Sequence, residues 1–260
     1  MTPHKIWADQ PFQLLEPPCK RLALTDPFVY VASDMALAHN TMIRGLNTIY
    51  LQAPFVPRSD VVLVKDFLIY CQSWSALVEV HHSQEEDFLF PALESRMKAA
   101  RGISETNIKQ HEAFHSGLSE FERYCWDALQ GDETFDAQRI LAIIDRLSGP
   151  LLQHFKDEIP SLLALKRSGR GEELLKIYHE FEMRMRKSDH DASKVGPFTV
   201  LNTDKFTEGI EHPFPGIPGI GTFAIKHLLS RKYCGAWRFG CTDFNGRPVE
   251  LWMHQAKETS

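Results

Sequence analysis

Long apolar runs are missing from this chain, and so is any concentration of basic charge. No stretch approaches the roughly 20 consecutive apolar residues of a membrane-spanning helix. The N-terminus, MTPHKIWADQPFQLLEPPCK, has Asp9 and several prolines where a secretory signal needs an uninterrupted apolar segment. These absences point to a cytoplasmic protein with no membrane partner. The formal net charge is -5 with acids and bases interspersed, so there is no basic stripe to neutralise phosphates, and nucleic acid is not an expected partner. Cysteine is scarce: Cys19, Cys71, Cys125, Cys234 and Cys241 form no CxxC pair and are odd in number, which argues against a disulfide framework and for reduced thiols. Proline is thin in the middle. Five of the 15 prolines precede residue 32 and five follow residue 191, leaving irregular ends around a regular centre.

That centre carries apolar residues at alternating steps of three and four, the period of helices that bury one seam. The first seam reads Met35, His39, Met42, Leu46, Ile49, with Ser33 or Asp34 as the N-cap. The second reads Val64, Phe67, Cys71, Trp74, Val78, His81, Glu85, Phe88. The third reads Ile108, His111, His115, Leu118, then Phe121 or Glu122, and Cys125, with Ser104 as cap. The fourth reads Ile140, Ile144, Leu147, Leu151, His154, Glu158, Leu162, Leu165, with kinks expected at Pro150 and Pro160. An all-α four-helix core over 33–166 is the expected fold, preceded by an N-terminal arm, 1–32.

The polar residues on these seams carry the functional reading. His39, His81, Glu85, His111, His115, His154 and Glu158 point inward, whereas His82, Glu86 and Asp87 sit one or more residues off the seam and are expected on a solvated face. A lone seam histidine is ordinarily a hydrogen-bonded core residue. Seven ionisable groups in one core carry a severe desolvation cost, and a metal is the usual compensation. Their number exceeds the three or four ligands of a zinc site, so two ions fit better. The four-residue spacing stacks His81 over Glu85, His111 over His115 and His154 over Glu158. Ferritin-like di-iron bundles, richer in carboxylates and built on Glu-x-x-His pairs, are the second reading.

The order of these pieces, a lone His in HNTMIRGLNTIYLQAP, then HHSQEEDFLFP, QHEAFHSGL and QHFKDEIPSL, resembles the hemerythrin-like proteins and looks most like their HHE cation-binding branch. The length and the late GAWRFGCTDFNGRP segment are similar to fungal members. The resemblance implies an up-down bundle holding two non-haem iron ions with an oxo or hydroxo bridge. It assigns His111, His115 and His154 to one iron, His39 and His81 to the other, and Glu85 and Glu158 as bridges. One iron is then six-coordinate and the other five-coordinate, and the open position is what O2 requires. Glu158 stands where the oxygen carriers have Asp one residue later, which weakens an inference of transport. The implied function is O2 binding or reaction. The alternatives are a di-iron oxidase or oxygenase acting on a small organic substrate, in the setting of fungal secondary metabolism, and an iron or oxygen sensor.

Beyond the bundle, GRGEELLKIYHEFEMRMRKSDHD predicts an additional helix within 167–191. The remainder, 192–260, holds too many aromatics for a disordered tail and is expected to pack on the bundle, either simply covering it or closing a substrate pocket. A short hairpin at Asn245-Gly246 is weakened by Pro248.

Overall fold

The computed structural model describes residues 7–206 and 214–255. Helix α1, Pro27–Gln52, starts where the Asp26 carboxylate accepts the Phe28 N–H at 3.0 Å, with Pro27 at the first position, where a missing N–H costs nothing. The cap is therefore not Ser33 or Asp34. Both lie inside the helix and act sideways: Ser33 accepts the Cys19 N–H and Asp34 accepts the Tyr178 hydroxyl.

Helix α2, Val61–Gln84, is capped by Asp60 on the Leu63 N–H. It continues through a π turn, Glu85–Leu89, into α3, Phe90–Arg96. Pro91 explains the wide turn, because it has no N–H for the Asp87 carbonyl and its ring would clash with that carbonyl on an α-helical path. The Phe90 N–H instead bonds the Glu85 carbonyl, five residues back. Helix α4, Ile103–Gln130, lies between Gly102 and Gly131, which take φ of 87° and 88°, a left-handed conformation suited to glycine. Helix α5, Ala137–Ala164, capped by Asp136, runs through Pro150 and Pro160 without ending.

Helices α1, α2, α4 and α5 close into a ring in which α1 and α4 each touch α2 and α5. The C-terminal half of α1 and the N-terminal half of α2 share one apolar cluster, so neighbours run antiparallel, the up-down topology that short connections favour. The core is not continuous. One cluster includes Leu46, Phe67, Trp74, Phe121 and Ile144; the other includes Met35, Phe90, Leu93, Leu162 and Ile177. The polar layer described below separates them. By length and composition Val61–Arg96 passes for a membrane span, but its apolar stretch lies mostly inside the fold.

Helix α6, Gly171–Lys187, is the additional helix and packs on α1, α2 and α3. Helix α7, Ala192–Leu201, lies on α2 so closely that a Cβ at Gly45 of α1 would overlap the Phe198 ring. Helix α8, Gly219–His227, and the short α9, Trp252–Gln255, complete the described chain. The C-terminal aromatics do pack: Trp237 and Phe239 are buried, and the Phe239 ring meets Phe67 at 5.1 Å. At Asn245-Gly246 the chain makes a turn with Gly246 at φ 81°, followed by a single Thr242–Pro248 bridge, and the proline has no N–H to extend it.

Candidate metal centre

His39 of α1, His81 and His82 of α2, Glu85 at the head of the π turn, His111 of α4, and His154 and Glu158 of α5 form the layer between the two apolar clusters, none more than 5% exposed. They fall into two groups that share Glu85: His82, Glu85, His111 and His154, and His39, His81, Glu85 and Glu158. In each group the four ligand atoms lie within 4.8 Å of one another.

The ring orientations are specific. His39 Nδ1 donates to the Phe155 carbonyl at 3.3 Å, His111 Nδ1 to the Glu86 carboxylate at 2.6 Å, and His154 Nδ1 to the Gln110 amide oxygen at 3.2 Å. Gln110 is itself oriented by donating to Asp157. Each outward N–H fixes a tautomer whose Nε2 lone pair points inward. The inward nitrogens then face one another: His39 and His81 Nε2 are 3.3 Å apart, and His111 and His154 Nε2 are 3.1 Å apart. His81 Nε2 lies 2.9 Å from Glu85, and His39 Nε2 lies 3.3 Å from Glu158. For His39, His111 and His154 no ring proton remains to place between these acceptors.

Both ring nitrogens of His82 and both carboxylate oxygens of Glu85 and Glu158 are buried without a hydrogen-bond partner. Each such group costs about 1–3 kcal/mol or more, so a cation among them relieves a large local penalty. Burial dominates the titration. It lifts Glu85 and Glu158 well above the carboxylate range, with Glu86 adding to the first and Glu85 to the second. It drives His39, His82 and His154 far down and His81 to about 4. Neutral imidazole is the ligand form. The carboxylates become anions here only beside positive charge. The donor set, imidazole nitrogens with two carboxylates, fits divalent transition metals.

Six of the seven residues predicted from sequence meet in this layer. His115 does not: it is exposed on α4, and Phe114, 2% exposed, takes the inward place. Steps of both three and four from His111 reach the helix's inner face, and the apolar side chain gains more by burial. His82, expected on a solvated face, is buried at the centre instead. A helix buries an arc of at least about 100°, wide enough for the adjacent His81 and His82, and each serves a different group. The available signal was Pro91, whose missing N–H the wide turn below them accommodates. Glu86, also expected in solvent, reaches His111; Asp87 alone of that trio is exposed. Glu158 belongs to the His39/His81 group only, so Glu85 is the single carboxylate common to both.

Aromatic rings dry the layer. Phe155 stacks on His39 at 4.2 Å, and Phe114 lies 4.9 Å from His82. On its α6 side, His81 borders a cavity of about 390 Å³ whose other walls include Leu77, Phe181, Val195 and Ile225.

Among proteins of known kind, the profile of the Hemerythrin HHE cation binding domain matches residues 31–165. A dimeric xanthone biosynthesis cluster protein, R11, of Cryptosporiopsis sp. (strain 8999) is 34% identical over 223 residues, which span 86% of this chain and 82% of that protein. No solved structure matches. With the domain match covering more than half the chain and laid directly over the helices that bring these histidines and glutamates together, the protein belongs to the hemerythrin HHE cation-binding family.

Proposed function

We propose that this chain is a non-haem di-iron protein that binds or reacts with O2. The observation that carries the reading is the pair of buried four-residue groups joined at Glu85, with inward lone pairs and orphaned carboxylates. His82, His111 and His154 would hold one iron, His39, His81 and Glu158 the other, and Glu85 both. Iron bound there supplies reversible one-electron chemistry and a site for O2.

The chain's own residues set the conditions for that chemistry. Phe155, Glu86 and Gln110 hold three imidazoles in the ligand tautomer, and such outer partners ordinarily tune affinity about 10- to 100-fold. Phe114 and Phe155 exclude water, which strengthens every electrostatic interaction inside. The protein's contribution is a preorganised, dry cage of neutral imidazoles and two carboxylates.

A second reading, an oxidase or oxygenase acting on a small organic molecule, is favoured by the cavity that ends on His81. The naming of the Cryptosporiopsis relative for a dimeric xanthone biosynthesis cluster supports a setting in fungal secondary metabolism. The test is metal analysis followed by O2 uptake on the ferrous-loaded protein. The expected result is two irons per chain, one per group, and uptake in proportion to protein. Uptake reversed by evacuation marks a binder, and uptake that persists marks an oxidase. A single zinc per chain, or no uptake, would overturn the proposal.

A further inference from the structure

The cavity beside His81 has walls of two characters. Met42 of α1, Leu77 of α2, Phe181 of α6 and Ile225 of α8 supply an apolar surface, and Asp34, Glu182, Arg186 and His190 are among its polar groups, beside the hydroxyls of Thr41 and Thr199. Its volume of about 390 Å³ falls within the range of small-molecule sites, which are mostly apolar with a few placed polar groups. The Phe181 ring stands edge-on to His81 at 6.0 Å, so a flat ring entering here meets an aromatic edge and a methionine sulfur, both favourable aromatic contacts.

The charges restrict the occupant. Arg186 faces Glu182 at 3.8 Å and reaches the Gly216 carbonyl at 3.4 Å, both through one Nη, so its charge lies beside an acid of the same wall. Burial holds His190 toward its neutral form. Against them stand two carboxyl groups, Asp34 and Glu182, close enough that Asp34 helps raise the Glu182 acid. Among the described lining residues, an anionic ligand would meet one arginine set against two carboxyl groups. A ligand hydroxyl would find the Glu182 carboxyl, whose carbonyl oxygen accepts in either protonation state, while Asp34 already accepts the Tyr178 hydroxyl.

We infer that this cavity binds an uncharged, hydroxylated aromatic molecule with one edge against His81; its role as a substrate site rests on the proposed O2-reactive centre, whereas the binding itself does not. Walls from α6, α7 and α8 give the segment after the bundle a share in selecting the molecule.

The experiment titrates iron-loaded protein with 1-hydroxyxanthone and 1-naphthol, using 1-naphthoate as the anionic control. Both phenols are expected to bind saturably, with naphthoate at least about tenfold weaker, equivalent to ~1.4 kcal/mol. Gly196→Leu adds bulk to the cavity lining, its Cβ about 3.4 Å from Ile225 Cγ1. Met185→Trp fills it from α6. Each is expected to weaken phenol binding about tenfold or more while leaving iron content unchanged, and the second serves if the first fails to fold. Equal affinity for phenols and naphthoate, or unchanged phenol affinity in a folded variant, would overturn the inference. Phenol binding by a protein that holds no iron would leave the cavity assignment standing and remove the di-iron reading. Iron and O2 uptake without phenol binding would do the reverse.

Discussion

Helix α1 carries buried polar residues on two faces, and the two faces behave in opposite ways. On the outer face, Asn40 exchanges hydrogen bonds with the Leu15 backbone, and Asn47 accepts the Phe12 N–H while donating to the carbonyls of Ala8 and Phe12. Arg44 pairs with Asp9 at 3.1 Å, Thr48 bonds the Tyr70 hydroxyl, and Gln52 bonds the Phe239 carbonyl and the Met253 N–H. On the inner face His39 meets another acceptor nitrogen and a carboxylate. Burial of polar residues therefore does not mark a site by itself. The outer set is matched within the chain and ties the N-terminal arm and C-terminal segment to the bundle. The inner set is matched only by something the chain lacks.

Removing metal is expected to break this contrast with the largest effect. Without a cation, His82, Glu85 and Glu158 stay buried and unpartnered at about 1–3 kcal/mol or more each, a large share of a typical net stability of roughly 5–15 kcal/mol. The thermal midpoint should fall substantially on stripping and return on adding iron. Hydrogen exchange should show protection lost first at helix centres near His81, His111 and His154, while the outer face around Asn47 keeps its protection. Equal protection in both forms would remove the desolvation argument.

Acid should sharpen the contrast next. His39, His81, His82, His111 and His154 have folded pKa values below the ordinary histidine value, His81 at about 4. Between about pH 4.5 and 6.5 the unfolded chain binds protons at these five that the metal-free fold resists. Glu85 and Glu158 are shifted the other way and offset part of that uptake. Unfolding then takes up about two to three protons on balance, so stability falls as pH drops through this window, by roughly 3–4 kcal/mol per unit. Denaturant unfolding of metal-free protein at successive pH values reads the slope. A flat profile would mean that the histidines are not buried neutral.

The outer face predicts a smaller effect of a different kind. Asn47→Ala leaves three backbone partners in the arm unmatched and should cost about 1–3 kcal/mol, with metal content unchanged and little added pH dependence near neutrality. Loss of metal in this variant would mean that the two faces are one cooperative unit.

Much of this was legible in the sequence. The three-and-four spacing located four helices, because a helix with one apolar seam leaves that period wherever it packs against neighbours. It also located six of the residues now in the layer. It failed at His115 and His82 for physical reasons. Between Phe114 and His115 the period is indifferent, and burial of the phenyl ring decided. Between His81 and His82 a single seam is too narrow a picture of a helix enclosed by four neighbours, and the π turn before Pro91 does not follow from a fixed period. The outer seam of Asn40, Arg44 and Asn47 was hidden, since its partners lie in irregular segments with no period to read. The cavity at His81 depends on how α6, α7 and α8 stack, which composition does not specify.

The central claim is that the layer is a metal site whose histidines include His82 and exclude His115, and one paired measurement tests it. Purified wild type, His82→Ala and His115→Ala are loaded with iron, desalted and assayed for iron per chain. The account predicts wild-type iron in His115→Ala, because that side chain is exposed on α4, and loss of iron from the His82, Glu85, His111 and His154 group in His82→Ala. Full iron in His82→Ala together with loss in His115→Ala would contradict it.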